Sequence, residues 1–137
     1  MFQFPASLLS RSFVPGLAIA VCIVGCGETP PAMVPVTGRV MQGDQPVSIG
    51  AIYFHPHVSN SFQDDTPSSQ IGSDGQFTMK TFPFGEGVPP GRYKVTLGSE
   101  IATRLGHPEL ANLSRTPWSI EVTDAGVSDH VFAVEEK

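Results

Sequence analysis

From Val34 onward, apolar and polar residues alternate with a period of two. Val34, Val36, Gly38 and Val40 fall on one face, with Thr37 and Arg39 on the other. Phe77, Met79 and Thr81 alternate with Gln76, Thr78 and Lys80. Tyr93, Val95 and Leu97 alternate with Arg92, Lys94 and Thr96. Trp118, Ile120 and Val122 alternate with Ser119, Glu121 and Thr123, and Phe132 and Val134 with Val131, Ala133 and Glu135. Successive side chains of a strand point to opposite sides of its sheet. Each stretch therefore predicts a strand with one face on a core and one in water. Ala51-Ile52-Tyr53-Phe54 is more continuously apolar, which predicts a central strand, and a short strand is expected near Gln70-Ile71.

The residues between these stretches are turn formers. Gly43-Asp44-Gln45-Pro46 separates the first two strands, and Asp124-Ala125-Gly126 the last two. Ser73-Asp74-Gly75-Gln76 predicts a hairpin turn, with Gly75 taking the positive φ such turns need. Pro90-Gly91 suits the centre of a type II turn. Only His107-Pro108-Glu109-Leu110-Ala111-Asn112-Leu113 hints at a helix. Six or seven short strands in about 100 residues predict an all-β fold, a small antiparallel Greek-key β-sandwich.

The first 33 residues read differently. Arg11 is the single charge of residues 1–12. An uncharged apolar run, Phe13 to Val24, follows. Its twelve residues match the apolar core of a signal peptide and fall short of the ~20 a helix needs to span a bilayer. Pro15 and Gly16 at its start weigh further against a spanning helix. The run ends in Ile23-Val24-Gly25-Cys26, which resembles the lipobox of bacterial lipoproteins: two aliphatic positions, a small residue and a cysteine. The resemblance implies cleavage between Gly25 and Cys26 and attachment of a diacylglycerol to the Cys26 thiol. Small Gly25 lets the scissile bond reach a peptidase within the membrane. Acylation of the new amine would add further chains, and two or more chains anchor stably where one does not. Gly27, where an inner-membrane lipoprotein often has Asp, favours the outer membrane, on its periplasmic side. Three segments result: a leader, 1–25; a lipidated, proline-stiffened tether, 26–33; and a domain, 34–137.

Charge and cysteine content narrow the partners. After cleavage seven Lys and Arg remain against all 13 Asp and Glu, a formal charge of −6. The basic residues are scattered, so nucleic acid and anionic lipid heads would be repelled. The membrane link must come from lipid, not from basic charge. Cys22 leaves with the leader and Cys26 remains alone, so no intramolecular disulfide is expected, and stability rests on the core. A chain of 112 residues buries roughly two-thirds of its unfolded surface, enough to fold around its own core.

Within the domain, Gly38-Arg39-Val40, Gly43-Asp44-Gln45-Pro46-Val47 and Gly50-Ala51-Ile52-Tyr53-Phe54 follow one another. Ser73-Asp74-Gly75-Gln76-Phe77 and Val88-Pro89-Pro90-Gly91-Arg92-Tyr93-Lys94-Val95 come next, then Trp118-Ser119-Ile120-Glu121-Val122 and Phe132-Ala133-Val134. In this order they resemble carboxypeptidase regulatory-like (transthyretin-like) domains across most of residues 36–134. With the lipobox, the layout is similar to small lipoproteins of planctomycete type. The resemblance implies a prealbumin-like sandwich without enzyme activity, of the accessory or adhesive kind. The loop 57–69 and Ser73, where the family often has Thr, depart from the pattern.

Candidate chemistry is sparse. His55 and His57 stand two apart, a spacing that puts both on one face of a strand, as zinc sites sometimes require. His107, His130, Asp64 or Asp65 would be the third ligand. The plainer reading is two exposed histidines at a strand end broken by Pro56, and no metal is assigned. Asp64-Asp65-Thr66 and Asp74-x-Gln76 lack the oxygen-rich spacing of a calcium loop. Ser68-Ser69 has no nucleophile-elbow context. No cofactor motif appears. Asn112-Leu113-Ser114 is a glycosylation sequon that means little in a bacterial chain. Phe62, Phe82 and Phe84 sit in loops, where rings mark a binding surface or cap the open ends of a sandwich. Two functions remain. The first is a membrane-anchored, non-catalytic structural or protein-interaction module of the cell envelope, its protein partner unidentified. The alternative is a carrier or sensor of a small ligand or metal, using His55, His57 and the 57–69 loop.

Overall fold

The computed structural model describes residues 31–136. Gly25 and Cys26 lie outside the described residues. Ten strands pack as two sheets over one core, an all-β sandwich. In the smaller sheet, β1 (Val36–Gln42) is central. On one side lies β10 (Val127–Val134). On the other lie β2 (Gln45–Pro46) and β5 (Gln76–Thr78), one at each end of β1. In the larger sheet β3 (Gly50–Pro56), β4 (Ser68–Ile71), β6 (Lys80–Thr81), β7 (Gly85–Glu86), β8 (Gly91–Leu97) and β9 (Ser119–Val122) stand in the order β7-β6-β4-β3-β8-β9. The apolar β3 is central, as its composition predicts. All ladders are antiparallel except β1 with β10, which is parallel.

The alternation sorts the side chains as expected. Val36, Val40, Ile52, Phe54, Phe77, Met79, Tyr93, Val95, Leu97, Ile120, Val122, Phe132 and Val134 are buried in one cluster. Phe54 of the large sheet meets Phe77 and Phe132 of the small one edge-on, at ring centroid distances of 6.5 and 6.4 Å. Trp118 stacks on Phe132 at 5.0 Å. Tyr93 is buried, and its hydroxyl donates to the Pro89 carbonyl. That burial pushes its phenol pKa up to about 12.

Four local expectations are corrected. The turn at Ser73-Asp74-Gly75-Gln76 forms, with Gly75 at φ +79 and the Gln76 N–H on Asp74 Oδ1 at 3.1 Å. It is not a simple hairpin: β4 pairs with β3 and β5 with β1, so the turn carries the chain from one sheet to the other. Met79 carries it back, so the single predicted strand 76–81 divides into β5 and β6. The Pro90-Gly91 pair is not the centre of a type II turn: Gly91 has φ +154, far from the value of about +80 such a turn needs, and is already the first residue of β8. The helix hint at 107–113 gives only a 3-10 turn, Pro108–Ala111. The α-helix is α1 (Ser99–Arg104), with Ile101 and Ala102 buried and Gly106 at φ +75 just beyond its end.

The edge of the small sheet carries a bulge. Val36 pairs with Val127 but Gly38 with His130, so β10 has one residue more than β1 there. Asp129, at φ +55, absorbs it, and its N–H donates to Thr37 Oγ1 at 3.3 Å. Such a bulge interrupts an edge that would otherwise template another strand.

Candidate ligand-binding face

The polar half of the alternation in the large sheet makes one continuous outer face. The ladders set its rows. Glu86, Lys80, Ser68 and Tyr53 run across four strands through successive pairings, and the row ends on Thr96 of β8, which is buried although the alternation expects it in water. His55, Lys94 and Ser119 form the next row, and Arg92 opposite Glu121 the third. Two recesses open in this face, and Tyr53 lines the first. One, of about 600 Å³, is lined by Tyr53, Ser68, Gln70, Lys80 and Glu86 among others. The second, of about 670 Å³, is lined by His55, His57, Val58, Lys94, Leu113 and Glu121 among others. His57, Val58, Lys94, Leu113 and Glu121 are exposed, so this recess is a shallow trough and not an enclosed pocket. Small-molecule sites bury most of their ligand. An open face with a central Tyr, flanking Arg and Lys, and apolar Val58 and Leu113 has the composition of a protein-contact surface instead.

His55, in β3, and His57, just past its end at Pro56, both line the second recess. Each imidazole already has a hydroxyl neighbour. His55 Nε2 is 2.7 Å from Thr96 Oγ1, and His57 Nδ1 is 2.8 Å from Ser59 Oγ. The Ser59 N–H also donates to His57 Nδ1, at 3.1 Å. The proposed third ligands lie elsewhere. His107 pairs with Glu109 at 2.8 Å and with the Glu135 carbonyl at 2.7 Å. His130 packs on the Phe132 ring in the other sheet. Asp65 Oδ2 accepts the Phe82 N–H at 2.9 Å. Among the described residues no three His, Cys, Asp or Glu side chains gather to hold a metal ion. Ser69 Oγ donates to the Gln70 carbonyl at 2.7 Å and accepts the Thr78 N–H at 3.2 Å, so it ties the two sheets at their turn.

The 57–69 loop is held to the large sheet by a side chain acting as a strand. Asn60 Nδ2 donates to the Arg92 carbonyl at 2.8 Å, and the Arg92 N–H donates back to Asn60 Oδ1 at 2.9 Å. Gln63 Nε2 closes the loop on the His57 and Asn60 carbonyls. Tyr53, Lys94 and Leu113 were not singled out by sequence. The outward parity of Tyr53 within an apolar strand is the signal that marks it: a large ring on the water side of β3.

Half-burial lowers the His55 pKa below its usual 6.5. The folded chain therefore binds that proton less readily than the unfolded chain. Stability falls as pH drops below 6.5 and continues to fall until the folded-state pKa is passed. Urea midpoints measured between pH 7 and pH 5 should decline less in His55→Gln than in the wild type. Equal declines would mean that His55 does not carry this dependence.

No family model, no curated protein and no solved structure matches this chain. The class defined by fold and site is an all-β sandwich with one open, mixed-charge sheet face.

Proposed function

We propose that this chain is a membrane-anchored lipoprotein of the cell envelope, and that its single sandwich is a non-catalytic protein-interaction or structural module. The observation that carries the interaction reading is the open outer face of the large sheet, where exposed Tyr53 lines one recess and His55, Lys94 and Glu121 line another. The lipobox at Ile23-Val24-Gly25-Cys26 supports the anchor. The serial motifs from Gly38 to Phe132 support a carboxypeptidase regulatory-like domain. The anchor belongs on the periplasmic side, with Gly27 favouring the outer membrane. The carrier alternative draws on the recess beside His55 and His57.

One experiment tests both halves. A photo-crosslinking amino acid at Tyr53 or, as control, at Val131 on the other sheet is expressed in the full-length chain in a bacterial host fed labelled palmitate. The wild-type chain should take up label and sediment with membranes. Cys26→Ala should lose both. The probe at position 53 should recover one protein in near-equal amount that the probe at 131 does not. Equal palmitate labelling of Cys26→Ala would reject the anchor. Identical background at both probe positions would reject the interaction face and send the search to small ligands.

A further inference from the structure

Several loops meet at one end of the sandwich, where the chain comes in. Val34 exchanges both backbone hydrogen bonds with Val88, at 3.0 and 2.9 Å. β1 starts from this end and β3 finishes at it, delivering the 57–67 loop. The β6–β7 hairpin turns here too, through Phe82-Pro83-Phe84. Gly87, at the base of that hairpin, lies against the incoming chain: a Cβ on it would come within 3.2 Å of the Met33 Cβ.

The hairpin tip is apolar and shaped. Phe82 is 80% exposed and Phe84 36%. Phe84 packs edge-on against Phe62 of the neighbouring loop, at 6.0 Å. The Phe84 N–H donates to the Thr81 carbonyl at 2.8 Å, and Asp65 holds the Phe82 N–H. These bonds fix the turn so that the Phe82 ring stands out from it. Phe82 and the Phe84–Phe62 pair thus put three rings at one end of the sandwich, outside the core cluster.

The tether identifies its occupant. Seven residue steps separate Cys26 from Met33, a reach of at most ~25 Å. The hairpin tip lies three residues beyond Gly87, about 10 Å further along a strand. The opposite end of the sandwich lies a full β1 length away, roughly 23 Å more. A lipid on Cys26 would therefore bring the Phe82 end, and not the opposite end, to the bilayer surface. Aromatic rings are favoured at the headgroup layer.

We propose that Phe82, at the tip of the turn that Asp65 and the Phe84–Phe62 pair hold, docks this end of the sandwich on the lipid surface beside the anchor. Asp65 holds the tip, and Glu86 faces Lys80 at its base, so two acidic groups stand there against one basic group and the surface it suits is zwitterionic, not anionic. The proposal rests on the reading of Cys26 as the lipidated residue.

The test uses the mature lipidated chain, purified from bacterial membranes and reconstituted into phosphatidylcholine vesicles that carry a headgroup-region nitroxide lipid. Phe82→Trp adds one indole to native Trp118, which is packed on Phe132. Val131→Trp, on the small sheet, is the control position. The added emission at position 82 should be blue-shifted and quenched about two-fold. Emission at position 131, and from the wild type, should be nearly unchanged. Flotation with the vesicles but no quenching at 82, or equal quenching at 82 and 131, overturns the docking and leaves the anchor standing. Failure to float when Cys26 is present overturns the anchor, and the docking with it. Cross-linking of position 82 to a protein in native membranes, with no quenching in vesicles, assigns the tip to a protein and also overturns the proposal.

Discussion

Phe54→Ala should lower the unfolding free energy by about 3–5 kcal/mol, the range seen when a buried aromatic is truncated in a core. Phe54 is fully buried in the central strand of the large sheet. Its ring touches Tyr93 in its own sheet at 5.8 Å and reaches Phe77 and Phe132 across the sandwich. Truncation removes the ring shared by both sheets and leaves a hole lined by rings too large to collapse into it. A domain of this size has about 5–15 kcal/mol to lose, so the variant should be marginal. Its melting temperature should fall by about 15 °C or more, at several degrees per kcal/mol. Urea unfolding followed by Trp118 fluorescence reads this directly, because Trp118 is the single Trp of the chain and sits on Phe132. The comparison is Phe82→Ala, at an exposed position, which should change stability by no more than about 0.5 kcal/mol. A loss below about 2 kcal/mol for Phe54→Ala would mean that the sheets are not held through this ring.

Gly38→Ala should cost about 3 kcal/mol, the upper end of what overpacking exacts, although it adds a single methyl. Gly38 sits in the middle of β1, between β10 and β5, opposite Phe77. A Cβ there would overlap the His130 carbonyl oxygen and come 2.6 Å from Phe77 Cζ. The ring can swing, but the carbonyl belongs to a backbone ladder and cannot move without breaking β1 from β10. Phe77→Leu placed in the same chain should therefore fail to rescue Gly38→Ala. If the double variant recovers most of the loss, the ring and not the carbonyl is the obstacle. Gly38 is tolerated in a strand interior, normally a poor place for glycine, because the Phe77 ring covers the space that a side chain would fill.

The alternation of residues determined a great deal about this domain. It marked Val36 and Val40, Phe77 and Met79, Tyr93, Val95 and Leu97, Ile120 and Val122, and Phe132 and Val134 as core, and each of them is buried. The reason is local: strand geometry turns every second side chain inward, whatever the strand pairs with. It also marked β3 as central through its apolar composition. Pairing is a different matter, since it joins residues far apart in the chain. Sequence could not say that β4 and β5, joined by four residues, belong to different sheets, or that Met79 divides one apparent strand into two. Nor could it say that β10 runs parallel to β1. The six residues of α1 are too few for helical periodicity to stand out, and its stability comes from packing Ile101 and Ala102 on the core. The fixing of the 57–69 loop was equally hidden, because Asn60 meets Arg92 from 32 residues away. The outer face around Tyr53 became a single surface only when the ladders aligned β7 through β9, because register is decided by the fit of whole strands and not by any one of them.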